Sequence, residues 1–187
     1  MIKNRMKKTI RKTVVGFALL AGIVTAGVNP ASADTLKDSN GNSIVAGKRY
    51  SMESHAFPGQ HLSSQNWNGD HWATLSSSTY EPIRVEQFGD GVRFLTDRTH
   101  YVDEVGIELP MYLGVNLYDP GVIFSNSTAD ESWSVTAAPT GMYPANYFAF
   151  KNSNNNQFMS ARDSLNWLYV DKSTMDSKTM WRLVPKQ

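Results

Sequence analysis

The sequence predicts an all-β fold built from three copies of a four-strand unit, preceded by a cleavable leader. Three observations carry this. Short alternating apolar and polar runs, bounded by Gly, Asn, Asp, Ser and Pro, recur from about residue 47 to the C-terminus without a helical period. These runs superimpose on one another in three sets of four. The first 33 residues have a different character, with six basic side chains, no acid and an uncharged apolar stretch from Val14 to Val28.

Lys3, Arg5, Lys7, Lys8, Arg11 and Lys12 precede that stretch, and Asn29-Pro30-Ala31-Ser32-Ala33 follows it. A basic start, a short apolar run and a small-x-small exit describe a secretory signal peptide at residues 1–33, with cleavage after Ala33. The run is short for a membrane span. The formal charge of +1 is set by this leader, because residues 34–187 hold 12 basic and 17 acidic side chains, a net of −5. An acidic chain without a cationic stripe argues against nucleic acid and anionic membrane as partners. The absence of cysteine excludes a disulfide-stapled miniprotein, a thiolate metal site and a cysteine nucleophile. With 41% hydrophobic residues, 13 Gly and 8 Pro, the chain is neither collagen-like nor wholly disordered. The expectation is one secreted, monomeric globular domain at 34–187.

The elements follow in order. Each unit opens with an alternating strand: Arg49–Glu53, Val92–Thr96 and Tyr147–Lys151. Second strands centre on Leu62, Leu113 and Met159, and third strands on Thr74, Ile123 and Tyr169. The units close with Ile83-Arg84-Val85, Trp133-Ser134-Val135 and Trp181-Arg182-Leu183. Leu62 precedes Ile83 by 21 residues, Leu113 precedes Trp133 by 20, and Met159 precedes Trp181 by 22. No unit of this size can bury its apolar face alone, so three must share a core around a pseudo-threefold axis. The pattern resembles a β-trefoil, with repeats at approximately 47–90, 91–143 and 144–187. Unit two is longer between its first and second strands, which places an insertion of about seven residues as a loop between Asp97 and Pro110.

No enzyme template is present: G-x-S-x-G, H-E-x-x-H, the P-loop, S-x-x-K and G-x-G-x-x-G are all missing. His61 and His71 flank Asp70 at a spacing that fits no metal template, so no metal and no cofactor are expected. Asp103-Glu104 are neighbours in one loop, not a pair across a cleft as glycosidase chemistry needs. The turn between the second and third strands is more informative. An aromatic recurs there as Trp67, Tyr118 and Trp167, accompanied by Asn66 and Asp70, by Asn116 and Asp119, and by Asp163 and Asn166. Sugar recognition uses this combination, since the C–H face of a pyranose stacks on a ring while its hydroxyls need planar amide and carboxylate partners. Three copies would add avidity for a repeated glycan. The alternative is that these rings plug the barrel as core.

The closing strands resemble those of ricin-type lectin and fascin-type repeats. Ricin-type repeats end in Q-x-W, whereas the same places here read Glu81-Pro82-Ile83, Glu131-Ser132-Trp133 and Thr179-Met180-Trp181. Two tryptophans persist and the glutamine does not. Separately, Leu36-Lys37-Asp38-Ser39-Asn40-Gly41-Asn42-Ser43-Ile44, followed by Tyr50-Ser51-Met52, is similar to the opening of plant Kunitz-type trypsin inhibitors, which are also β-trefoils. That resemblance implies a second function, inhibition of a protease. The junction Gly89-Asp90-Gly91 is too tight for the reactive loop of that family, so the inhibitory residue would be Arg98 in the 97–110 insertion.

The sequence therefore points to a secreted, non-enzymatic protein that binds an extracellular glycan or glycoprotein through the three hairpins. Alternatives are a protease inhibitor acting through Arg98 and the receptor-binding component of a toxin or adhesin. Secretion is expected to leave a chain beginning at Asp34, which N-terminal sequencing of the exported protein checks; a chain that keeps Met1 or starts far from Asp34 would sink the leader assignment.

Overall fold

The structure, a computed structural model, describes residues 36–103, 106–126, 131–162 and 167–187. The proposed leader lies outside them. Twelve strands account for the described architecture: β1 Tyr50–Ser54, β2 His61–Trp67, β3 Asp70–Ser76, β4 Ile83–Phe88, β5 Gly91–Val102, β6 Ile107–Val115, β7 Val122–Ser125, β8 Trp133–Ala137, β9 Phe148–Asn152, β10 Phe158–Ala161, β11 Leu168–Lys172 and β12 Trp181–Pro185. All the strand pairings are antiparallel, and a three-residue 3-10 turn at Ser177–Thr179 is the one named helical element among the described residues. Each strand segment expected from the sequence overlaps an observed strand, with Arg49 and Tyr147 falling one residue outside.

Six of the strands close on themselves. β1 pairs with β4, β4 with β5, β5 with β8, β8 with β9, β9 with β12, and β12 with β1. Closure leaves no free edge in this ring. Alternate side chains point inward with the strand period of two, and Met52, Ile83, Phe94, Trp133, Phe150 and Trp181 are wholly buried there. Phe94 and Phe150 meet edge to face, centroids 4.9 Å apart. The two closing tryptophans are tied to the second strands of their own segments. Trp133 Nε1 donates to the Leu113 carbonyl at 2.9 Å, and Trp181 Nε1 to that of Met159 at 3.1 Å. In the first segment Ile83 has no such donor, and the Leu62 carbonyl accepts the Glu81 backbone N–H at 2.7 Å instead.

The other six strands form the hairpins β2–β3, β6–β7 and β10–β11. They are stitched to one another. β3 pairs with β7 through His71↔Phe124 and Trp72↔Ile123, while isolated bridges join Thr74 to Trp167 and Gly121 to Tyr169. Their far ends therefore share one surface. Where the described residues begin, Leu36 is buried, and the buried Asp38 accepts the backbone N–H groups of Asn40 and Asn42, closing a turn between Lys37 and Ser43. Ser39 then donates its N–H to the Leu183 carbonyl at 2.7 Å, which seals this segment against β12.

One expectation needs correction. The insertion in 97–110 is a two-stranded ribbon, with β5 and β6 paired from Thr99↔Pro110 to Val102↔Ile107. The Thr96 hydroxyl bridges the irregularity at its base by donating to the Met111 carbonyl at 3.0 Å and accepting the Arg98 N–H at 3.1 Å. An alternating stretch extends the ladder because each pairing satisfies two backbone groups that a loop would leave to solvent.

Trp133→Phe should destabilise the fold by about 1–3 kcal/mol, from the lost indole hydrogen bond together with the lost volume. Ile83→Val should cost about 0.5–1.5 kcal/mol, because only a methylene is removed. Urea denaturation measures both; a midpoint for Trp133→Phe unchanged from the parent's would contradict a role for the Trp133 hydrogen bond.

Candidate functional site

The end of the β2–β3 hairpin is set by a two-residue turn, Asn68-Gly69, with φ of 53° and 89°. Both positive values belong to a type I′ turn, whose twist matches that of paired strands. The turn fixes a register in which Trp67 stands opposite Asp70 and Gln65 opposite Trp72. Trp67 and Trp72 thus lie on one face of the hairpin, and Asn66 lies on the other. The Thr74 to Trp167 bridge brings the start of β11 alongside. Trp167 meets Trp67 with centroids 6.2 Å apart and Trp72 with centroids 5.9 Å apart, edge to face in both pairs.

These three indoles, with Tyr169 and Asp119, line a cleft of about 320 Å³. Gly121 lies against the Trp72 ring so closely that a Cβ would overlap it, so only glycine lets this ring seat. Asp119 is held by its Oδ1 accepting the Gly121 N–H at 2.8 Å. Beside the cleft, the Arg162 guanidinium stacks 3.5 Å from the Tyr169 centroid and pairs with Asp171 at 2.9 Å. Burial pushes the Asp171 carboxyl up, but hydrogen bonds from Ser160 and Arg162 outweigh it and hold the group below its ordinary pKa.

Asp119 also lines a second recess, an open groove of about 340 Å³ with Asn116, Leu117, Tyr118, Asn152, Asn154 and Asn155 among its walls. Tyr118 is 97% exposed at its rim. The Asn116 Oδ1 accepts the Tyr118 N–H at 2.8 Å, and the Asn152 Oδ1 accepts those of Asn154 and Asn155. One recess is thus aromatic with a single carboxylate, the other amide-rich with a single phenol.

The three hairpins do not form three like sites. Trp67 and Trp167 belong to one cleft because the hairpins converge, whereas Tyr118 stands apart on the groove. Asp163 and Asn166 lie outside the described residues. Sequence reasoning missed Trp72 and Tyr169, although Tyr169 is two residues after Trp167 and so shares its face, and the Asn-Gly dipeptide sets the register that aligns Trp72 with Trp67. His61, Asp70 and His71 do not converge, and among the described residues no three His, Asp or Glu side chains are grouped to hold a metal. Burial holds the His61 imidazole below its ordinary pKa against the opposing pull of Glu53, with Ser51 Oγ 3.2 Å from its Nδ1.

Arg98 is not presented as an inhibitory side chain. Its Nε donates to Glu81 Oε2 at 2.8 Å, a second guanidinium nitrogen reaches Ser64 Oγ, and the Glu81 side chain is only 8% exposed. The guanidinium is tied to β2 through Ser64 and to the segment before β4 through Glu81. A trypsin-like pocket would need it extended and free.

No protein-family model matches the chain, and no curated protein matches it. Among solved structures it is similar to the complex of lysenin with phosphocholine, at 17% identity and a TM-score of 0.58, covering 77% of this chain and 46% of that one. It is similar to the receptor binding domain of botulinum neurotoxin D, at 9% identity and a TM-score of 0.59, covering 81% and 44%. Type II water-soluble Chl-binding proteins give 15% identity and a TM-score of 0.60, covering 81% and 98%. The chain spans less than half of the lysenin and neurotoxin chains that it matches. At these identities the likeness is one of fold, all-β and trefoil-like.

Arg98→Ala should lower stability by about 1–3 kcal/mol by leaving Glu81 without its cation in a mostly buried setting. Thermal unfolding of the variant beside Arg98→Lys checks this, and an unchanged transition for Arg98→Ala would show that the pair carries no stability.

Proposed function

We propose that this protein is a secreted, non-enzymatic β-trefoil of three four-stranded repeats that recognises an extracellular glycan through the joined ends of its hairpins. The single observation behind this reading is the pair of recesses on either side of Asp119. Stacking surfaces and hydrogen-bonding amides stand next to each other there, and a pyranose needs both. The three-repeat reading draws support from the six-strand ring and from the equivalent placement of Tyr50↔Ile83, Val92↔Trp133 and Phe148↔Trp181. The hairpin ends are built on a ring without edges, a rigid base of the kind that positions binding loops.

A second reading, receptor-binding component of a larger toxin or adhesin assembly, is favoured by one observation: the neighbours include the receptor binding domain of a neurotoxin, matched over 44% of that chain. Protease inhibition through Arg98 draws less support, because Arg98 is paired with Glu81 at 2.8 Å.

The test is a glycan-array screen of residues 34–187 beside the Trp67→Ala, Tyr118→Ala, Trp167→Ala triple variant. Binding by the parent that the folded variant loses, by at least tenfold, is the expected outcome. A blank array from a folded parent would overturn the glycan reading.

A further inference from the structure

The aromatic cleft and the amide groove differ in chemistry, and the difference bears on what the cleft takes. A pyranose brings several hydroxyls that need partners, and besides the N–H and O–H groups at the edges of its four rings the cleft offers one carboxylate, Asp119. A quaternary ammonium makes the opposite demand. It presents polarised C–H groups and a delocalised positive charge, has no hydrogen-bond donor to satisfy, and is attracted to aromatic faces, most strongly to those of tryptophan.

We infer that the cleft of Trp67, Trp72, Trp167, Tyr169 and Asp119 is a cage for a quaternary ammonium group, of the kind carried by choline. The inference rests on the reading of the hairpin ends as a ligand face, and it names the chemistry of one part of that ligand. Trp167 stands perpendicular to both Trp67 and Trp72, which gives the recess walls of differing orientation instead of one flat stacking platform. A flat platform suits a sugar ring. Walls at right angles suit a compact, roughly spherical cation.

Charge points the same way. Around the cleft, Asp70 and Asp119 carry charges that meet no ion pair among the described residues, whereas Asp171 is offset by Arg162 at 2.9 Å and by the neighbouring Lys172. Residues 34–187 as a whole are acidic. The Arg162 guanidinium takes up one face of Tyr169, 3.5 Å from the centroid, and its charge is met by Asp171, so the three indoles are the main cation-binding walls. Asp119, oriented by the Gly121 N–H, supplies a counter-charge at the boundary with the amide groove, where the rest of the ligand would continue.

The experiment titrates choline chloride into the purified protein and follows indole fluorescence, with potassium chloride at matched ionic strength and ethanolamine as comparison cations. Three of the five tryptophans line the cleft, and the other two, Trp133 and Trp181, are buried in the core. Choline should give a saturable change at concentrations about tenfold below any given by ethanolamine, whose primary ammonium is better served by water. Asp119→Asn, which keeps shape, and Trp67→Ala, which removes an exposed ring, should each weaken it by about tenfold. Unchanged thermal transitions would show both variants folded.

Sedimentation with phosphatidylcholine vesicles, compared with phosphatidylglycerol vesicles, then separates sources. Selective capture would place the cation on a lipid headgroup. Choline binding without capture would place it on a soluble or glycan-borne group, and both outcomes support the cage. No saturable response to choline, equal responses to choline and ethanolamine, or a response indifferent to Trp67→Ala and Asp119→Asn would each overturn it. If a simple sugar competes in the cleft where choline does not, the cage is refuted while the glycan reading stands.

Discussion

Closure of the six-strand ring is the constraint on which everything else depends. Each of these strands turns a row of apolar side chains inward, and a two-stranded piece of the ring would be marginal in water. When β1, β4, β5, β8, β9 and β12 pair in a circle, every inward face meets the others and every ring edge is used. The residues that begin and end the segments carry the closure: Tyr50 against Ile83, Val92 against Trp133 and Phe148 against Trp181. Two of these positions are tryptophans that reach from the ring to the hairpins through their indole N–H groups. Ring and hairpins are thereby one packed unit, in which a shift of either is felt by the other.

The binding face is a consequence of that coupling. The hairpins have their bases fixed by the ring, so their ends approach one another, and cross-bridges between β3, β7 and β11 complete the convergence. Side chains that would be isolated surface aromatics on separate hairpins then meet. The cost of leaving Trp67 55% exposed is tolerable on such a base, because the ordering entropy of its neighbours has already been met by the fold. Large exposed aromatics grouped on one surface are the feature that distinguishes a site from ordinary surface apolarity.

Buried acids add a second kind of order. Glu53 is met by Arg182, 129 residues away in sequence, and Glu81 by Arg98 from the next segment. Such pairs add little net stability after desolvation, but each carboxylate is satisfied in one arrangement of the strands and not in a slipped one. The Arg98 pair also shows how a side chain that reads as a free basic probe becomes part of the framework once a second strand supplies its partner.

The sequence by itself determined the all-β class, the twelve strand positions and the extra length in the second segment, because period-two alternation, turn residues and spacing are local properties of the chain. It also marked Trp67, Tyr118 and Trp167 as equivalent positions on three turns. Only the tertiary structure decided what those positions became. Equivalence in sequence predicts equal surroundings only under exact symmetry, and here the turns differ in length and composition: Asn68-Gly69 closes one hairpin tightly, while Asn116 to Pro120 carries Tyr118 outward. Trp72 and Tyr169 joined the site through bridges between strands far apart in the chain, and the insertion became a ribbon because its two arms could pair. Contacts of that kind depend on distances through space, which local pattern does not encode.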